Sequence, residues 1–523
     1  MAFARVACRA QQGLQAPLVQ VEVSLAAGLP AFCIVGLPAT VIKESKERVR
    51  AALVNSGFTF PAGRITVSLA PAELPKEGGR FDLPIALGVL LASGQLRAHT
   101  SGGETLREFY GELGLTGELK PVRGLLLAAV HARRNGHELI VPHGNAAEAC
   151  AAAPAQVRTA GHLLEVCAHV SGASPLPPRP TPANEPGYVG AGEVASLDLA
   201  DVHGQWLAKR ALLVAAAGAH SLLFIGPPGS GKSMLAQRLP GLLPPLAESE
   251  ALEVAAIAAV SACGPAPQRH RQRPFRAPHH SSSTAALVGG GARARPGEVS
   301  LAHHGVLFLD ELPEFARAAL EALREPLESG SVSVSRAALQ VRYPAAFQLV
   351  AAMNPCPCGM LGDTAADCRC TPAEVRAYRG RISGPLLDRL DMHVEVPRLA
   401  ASEFAAGANE GVETTADAAV RVAGARRLQL ERQKTYNARL ADAAVQRWCR
   451  TDEAGQRVLA RAMERFGLSG RGRQRVLKVA RTVADLAGAQ AVTAAHISEV
   501  LTLRCLDHRG ATAPAAPCDR PPV

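Results

Sequence analysis

Gly226-Pro-Pro-Gly-Ser-Gly-Lys-Ser233 follows Ser221-Leu-Leu-Phe-Ile225 and precedes Met234-Leu-Ala-Gln-Arg-Leu239. The upstream run is short and apolar and stops at a glycine, which predicts a buried strand. The downstream run predicts a helix. A strand, a glycine-rich turn and a helix N-terminus aim several main-chain N–H groups at one point, which suits a phosphate. The pattern G-x-x-x-x-G-K-S in that setting predicts a triphosphate cradle made of Gly226, Pro227, Pro228, Gly229, Ser230, Gly231, Lys232 and Ser233, with Met234 opening the helix beside it. Lys232 would reach the β- and γ-phosphates and the Ser233 hydroxyl would ligate Mg²⁺, so ATP with Mg²⁺ is the expected cofactor.

Working outward, Gly305-Val-Leu-Phe-Leu-Asp-Glu311 predicts a second apolar strand that ends in two carboxylates. Asp310 is placed to hold Mg²⁺ beside Ser233, and Glu311 to polarise the attacking water. Acidic pairs also occur at helix starts for dipole reasons alone, and it is the joint occurrence with the phosphate loop that favours catalysis. A third apolar strand, Leu349-Val-Ala-Ala-Met-Asn354, ends in an amide that could hold the water from the opposite side. Arg389, in Leu386-Leu-Asp-Arg-Leu-Asp391, and Arg471, in Leu468-Ser-Gly-Arg-Gly-Arg473, are arginines that could reach a transferring phosphoryl group in cis or from a neighbouring subunit. A lone arginine is more often a surface residue or a structural ion pair.

The chain of 523 residues is 48% hydrophobic but only 4% aromatic. No apolar run approaches the ~18–20 residues of a membrane span, and the N-terminus lacks the pattern of a signal peptide. The expectation is a cytoplasmic protein with no membrane partner, whose 12 cysteines are thiols or metal ligands rather than disulfides. Residues 1–167 mix strand-like runs (18–23, 31–35, 64–68) with a helix predicted over 41–54. Prolines crowd 174–190, so 168–197 reads as an extended linker. Residues 198–400 alternate strand and helix, the signature of a parallel α/β sheet. Residues 401–509 read as helical and basic, and 510–523 as a disordered tail. Between Arg421 and Arg481 there are 16 Lys/Arg against 5 Asp/Glu, an excess of +11 in a chain whose net charge is +10. Such a segment suits a polyanion, or it is a solvated helical face.

Several longer stretches resemble the magnesium-chelatase-like AAA+ ATPases of the YifB/ComM competence type. They are Asp198-Leu-Ala-Asp-Val-His-Gly-Gln205, Arg273-Pro-Phe-Arg-Ala-Pro-His-His280, Pro296-Gly-Glu-Val-Ser-Leu-Ala-His303, Leu307-Phe-Leu-Asp-Glu-Leu-Pro-Glu-Phe315, Met353-Asn-Pro-Cys-Pro-Cys-Gly359 and Arg381-Ile-Ser-Gly-Pro-Leu-Leu-Asp-Arg389. The resemblance runs from residue 1 to about 507. It implies an AAA+ P-loop core with a helical lid, assembled as a homo-oligomeric, hexameric ring. It matches Asn354 to sensor 1, Arg389 to the arginine finger and Arg471 to sensor 2, with Arg473 as the neighbouring alternative, and puts 202–205 near the adenine. It also implies that 1–167 is a Lon-protease-like α+β domain. Arg80 and Arg123 stand where that fold's active members carry Ser and Lys. A guanidinium is neither nucleophile nor neutral base, so proteolysis is not expected.

Two insertions could touch a substrate. Ser329-Gly-Ser-Val-Ser-Val-Ser-Arg336 alternates with period two and continues into Leu339-Gln-Val-Arg342, which predicts a β-hairpin. The other insertion, 271–295, holds His279, His280, Arg293 and Arg295. The family resemblance puts hairpins at both places in a ring pore, which makes Arg293, Arg295 and Arg336 candidate contacts to DNA phosphates, single-stranded or branched. The adjacent histidines alone are weak evidence for a metal. Cys356, Cys358, Cys368 and Cys370 form two C-x-C pairs, a candidate structural Zn²⁺ site, with two reduced pairs that never bind metal as the alternative. The expected activity is an ATP-driven motor on DNA, a helicase driving branch migration of transforming DNA. The alternative is a chelatase-type or protein-remodelling ATPase that does not act on DNA.

Overall fold

The computed structural model describes residues 2–35, 39–74, 76, 78–99, 106–178, 197–261, 271–291, 294–336, 339–363, 366–399 and 413–507. Most of the proline-rich stretch, the tail and Arg293 lie outside these residues, as does the side chain of Arg336. The chain divides into two compact units, 1–192 with 251–270, and 193–250 with 271–523.

The N-terminal unit is built on a seven-stranded mixed sheet. Its strand order is Ala31–Val35, Arg64–Ala70, Leu18–Ala26, Ala2–Arg9, Arg107–Phe109, Glu138–Pro142, Val157–Ala160. Strand Leu18–Ala26 alternates buried Val19, Val21 and Val23 with partly buried positions, as a strand with one face on the core does. Helix Asp82–Ala92 is apolar all round and nearly every residue is buried, as a helix inside a core must be. The helix expected over 41–54 occupies Ala39–Asn55. No local pattern indicates that the stretch from Ala251 groups with this unit rather than with the flanking phosphate-loop region. Leu252 and Ala255 pack on its hydrophobic core, which is why that stretch of helix Glu248–Val260 belongs here.

The second unit carries a five-stranded parallel sheet in the order Phe275–Arg276, Val306–Leu309, Gln348–Met353, Leu222–Ile225, Met392–Glu395. The three longer central strands are buried along their whole length. This is what strands covered on both faces require, and it is why they read as unbroken apolar runs. Helices Thr415–Gln433, Glu453–Phe466, Gly470–Leu486 and Ala494–Thr502 join the same hydrophobic core through Val422, Leu459, Val479 and Val500. Polar ties reinforce the join. Arg432 and Arg481 both grip Asp485, at 2.7 Å, and His220 and Asn437 both reach the Thr482 hydroxyl, at 2.7 and 3.0 Å. Among the described residues no helix is long and apolar enough to cross a membrane.

The predicted hairpin is present. Ser331–Arg336 pairs antiparallel with Leu339–Pro344, with Val334 opposite Val341. Val332 and Val334 are buried while Ser333 and Ser335 are exposed, as the period-two alternation requires. A shorter hairpin, Gly289–Gly290 with Arg295–Pro296, lies against it, and the Tyr343 hydroxyl donates to the Ala294 carbonyl at 2.9 Å. Gly289 has a positive φ of 111°, and a Cβ there would sit 3.0 Å from a Val334 methyl.

Candidate nucleotide site

The phosphate loop leaves the carboxyl end of strand Leu222–Ile225 and enters helix Lys232–Leu242. Gly226 has no alternative: a Cβ would stand 2.1 Å from the Val396 carbonyl oxygen. Gly229 and Gly231 both have positive φ, 75° and 92°, and a Cβ on either would meet nothing within 4 Å. The cradle is therefore open above the turn, and a left-handed turn of this kind points successive N–H groups into it. The buried Ser230 hydroxyl has no partner among the described residues. Lys232 curls back on the loop's own carbonyls, Gly226 at 2.7 Å and Pro227 at 2.8 Å, and reaches Asn354 Oδ1 at 3.3 Å. Burial lowers its pKa, with Asp310 and Glu311 acting in opposition. An open amide cradle with a poorly solvated ammonium at its rim fits a polyphosphate.

Asp310 ends the next strand but one, and its Oδ2 accepts a 2.6 Å hydrogen bond from the Ser233 hydroxyl. These two oxygens are 77 positions apart in sequence and adjacent in space, a donor set that fits Mg²⁺. Glu311 adopts a positive φ of 52°, an uncommon conformation for a non-glycine residue. Its Oε2 lies 3.0 Å from His280 Nδ1. That partner was not legible in the sequence, because it joins the tip of one strand to an insertion near another. Gln205 donates to the Ser230 carbonyl at 3.4 Å and to the Pro397 carbonyl at 2.7 Å, so the segment before helix Trp206–Gly218 lies on the phosphate loop. Met234 is exposed beside it.

The structure thus brings Lys232, Ser233, Asp310 and Asn354 together, with Glu311 next to them in the chain. It does not bring Arg389 or Arg471 there. Both line a cavity of about 580 Å³ bordered by Ser221 and Gln348, which stand at the amino ends of their strands. The phosphate loop follows the carboxyl ends, roughly 13 Å away for a four-residue strand. The same cavity takes in Arg439, Arg475 and Lys478 against the acids Glu328 and Asp391. Burial lowers the pKa of Arg439, Arg475 and Lys478. Arg389 pairs with Glu328 and donates to the Pro385 carbonyl at 2.6 Å, and its buried Nε has no partner among the described residues. Asp391 is held well below the usual carboxylate range. Its burial opposes ionisation, but hydrogen bonding and charge from His220, together with the charge of Arg475, prevail. Arg473 is exposed and does not line this cavity.

The remaining sequence candidates fall out as follows. Arg295 is exposed on the shorter hairpin. The Sγ atoms of Cys356, Cys358, Cys368 and Cys370 lie within 4.8 Å of one another. His279 stacks on His280 with ring centroids 4.1 Å apart. Not all of the basic excess after 421 faces solvent. Arg426 is buried, donates to the Ala216 carbonyl at 2.8 Å and stacks on Tyr436, and Arg432 and Arg481 are committed to Asp485.

Comparison with known proteins agrees over nearly the whole chain. The family described as "Magnesium chelatase, subunit ChlI" matches 198–404, "Subunit ChlI of Mg-chelatase" matches 21–145, and "Magnesium chelatase, subunit ChlI C-terminal" matches 412–504. The chain is 47% identical to "Competence protein ComM" of Haemophilus influenzae, covering 97% of this chain and 98% of that relative. It is equally similar, over the same shares, to "Uncharacterized protein YifB" of Salmonella typhimurium. A shorter match, 28% identical over 43% of this chain and 60% of the relative, is to "Magnesium-chelatase 38 kDa subunit" of Cereibacter sphaeroides.

Proposed function

The chain belongs to the YifB/ComM group of magnesium-chelatase-like proteins, and we propose that it is an AAA+ ATPase, hexameric as a ring, that moves on DNA. The observation that carries the reading is the 2.6 Å contact between Ser233 and Asp310 beneath an open amide cradle. Lys232 would turn from the loop carbonyls to the triphosphate, and Ser233 and Asp310 would hold Mg²⁺, which would supply Lewis-acid chemistry there. Glu311 orients and polarises water and Asn354 restrains it. Release of Glu311 from His280 frees the carboxylate for that task.

Arg389 and Arg471 serve a neighbouring protomer. Their cavity lies at the strand ends remote from their own phosphate loop, and it concentrates positive charge around an arginine nitrogen that lacks a partner. A head-to-tail contact that sets this cavity against the next protomer's loop generates a ring. The paired hairpins are the segments we assign to the pore, with Arg295, Arg293 and Arg336 as phosphate contacts. The name of the Haemophilus relative points to a role in competence, which suits branch migration of incoming DNA. We read the N-terminal unit as Lon-like without a working dyad. Arg80 is buried and spends its guanidinium on the carbonyls of Arg9 and Arg123. We also assign the four clustered thiols to a Zn²⁺ ion.

The test is ATP turnover with single-stranded, duplex and forked DNA across a salt series. A DNA motor shows stimulation by one of these structures and affinity that falls steeply with salt. The chelatase match favours a second reading, a remodelling ATPase. ATP turnover indifferent to every DNA tested would select it.

A further inference from the structure

The four-thiol knot is joined to the nucleotide site by more than proximity in sequence. Asn354 leads through Pro355 directly into Cys356. The knot then turns back at Gly359, whose φ is +82°. A Cβ there would lie 2.7 Å from Cδ of Pro228 in the phosphate loop and 3.8 Å from Cγ of Asn354. Bare backbone of the knot therefore lies close against Pro228 of the phosphate loop, with Asn354 nearby. Its base is pinned by Arg379, which donates two hydrogen bonds to the Pro355 carbonyl, at 3.1 and 3.0 Å.

The sulfurs are spaced for a metal. Cys356 Sγ lies 3.4 Å from Cys358 Sγ and 3.6 Å from Cys368 Sγ, and Cys358 and Cys368 are 3.6 Å apart. Disulfide sulfurs would sit about 2.05 Å apart. Four thiolates around zinc at about 2.3 Å stand roughly 3.8 Å from one another. The Cys358 N–H donates to Cys370 Sγ at 3.4 Å, the kind of main-chain bond that orients a metal-bound thiolate.

We propose that a zinc ion held by Cys356, Cys358, Cys368 and Cys370 positions Asn354 and Pro228, so that metal occupancy sets the rate of ATP hydrolysis rather than merely the stability of a loop. This deepens the ATPase reading and rests on it. Zinc performs no chemistry here, because four protein ligands leave no open position. It fixes the amide that touches Lys232, and a small misplacement at such a point is costly in rate.

The test takes the full chain, purified without chelator or affinity tag that binds metal. Zinc content, Mg²⁺-ATP turnover and nucleotide affinity are measured as purified, after stripping zinc, and after adding Zn²⁺ back. Expected are about one zinc per chain, a loss of at least about tenfold in kcat on stripping with nucleotide Kd held within about threefold, an unchanged circular dichroism spectrum, and recovery with Zn²⁺ but not with extra Mg²⁺. Gly359→Ala should keep its zinc and still lose turnover, because the clash falls on Pro228. Cys368→Ser is a parallel variant, and if it fails to fold, the strip-and-restore experiment decides alone. Protein as purified with less than about half an equivalent of zinc, or stripped protein that hydrolyses ATP at the full rate, would overturn the proposal. A failure of the ATPase reading looks different: zinc-loaded protein that neither binds nor splits ATP.

Discussion

The two ends of the parallel sheet are unlike. At the carboxyl ends, Lys232 reaches Asn354 at 3.3 Å and Ser233 donates to Asp310 at 2.6 Å. At the amino ends, Arg389, Arg439, Arg471, Arg475 and Lys478 crowd a cavity with two carboxylates, and the buried Arg389 Nε has no acceptor among the described residues. Nature seldom leaves such a donor unpaired unless something else supplies the acceptor. The first end we read as the nucleotide site. The second we read as half a site, completed under the proposed ring assembly by a neighbouring protomer's phosphates.

The sharpest break in that comparison would come from Arg389→Ala. If the arginine serves a neighbour's phosphoryl group, kcat should fall by about 10³-fold or more with nucleotide affinity nearly unchanged. An equal loss of binding would make Arg389 a ground-state contact instead. Glu311→Gln acts at the other end and should cost about 10²–10³-fold in turnover while retaining ATP, read by single-turnover hydrolysis. Wild-type rates from that variant would remove Glu311 from the mechanism.

Asp391 tests whether the amino-end cavity depends on its buried acid. Its folded pKa lies below the ordinary 3.8. The ionised form therefore stabilises the fold above that value, and the contribution fades as pH drops toward the folded pKa. Asp391→Asn should destabilise by about 3–5 kcal/mol at pH 7. The gap to wild type in denaturant melts should narrow below about pH 4. The smallest expected effect is at the hairpins. Arg295→Ala should weaken DNA binding only a few-fold and lower the salt slope by about one unit, as fluorescence anisotropy at several salt concentrations would register.

What could be read from sequence was what is local. The strand at 222–225 and its phosphate loop are legible because an apolar run, glycines and a lysine must follow in that order to make the cradle. The hairpin from 331 was legible because Ser/Val alternation has only one regular solution. The contact of His280 with Glu311 joins an insertion to the tip of a sheet strand, and no spacing rule connects them. The position of Arg389 depends on which end of a strand it faces, which is a property of the assembled sheet. Counting charge after residue 421 overstated the solvent-facing surplus. Arg426, Arg432 and Arg481 are consumed by a carbonyl, a carboxylate and an aromatic ring inside the fold. The placement of 251–270 with the N-terminal unit was hidden for the same reason: tertiary packing on a distant core, not local pattern, decided it.

The division of labour between protomers can be tested by mixing two dead variants. Lys232→Ala lacks the lysine of the phosphate loop, and Arg389→Ala lacks the arginine we assign to the next subunit. In rings assembled from equal amounts, about a quarter of the junctions pair an intact loop with an intact arginine. The account predicts that ATP turnover, absent from each variant alone, reappears on mixing at about a quarter of the wild-type rate. Mixed protein that co-assembles yet stays inactive, beside active wild type, would contradict it.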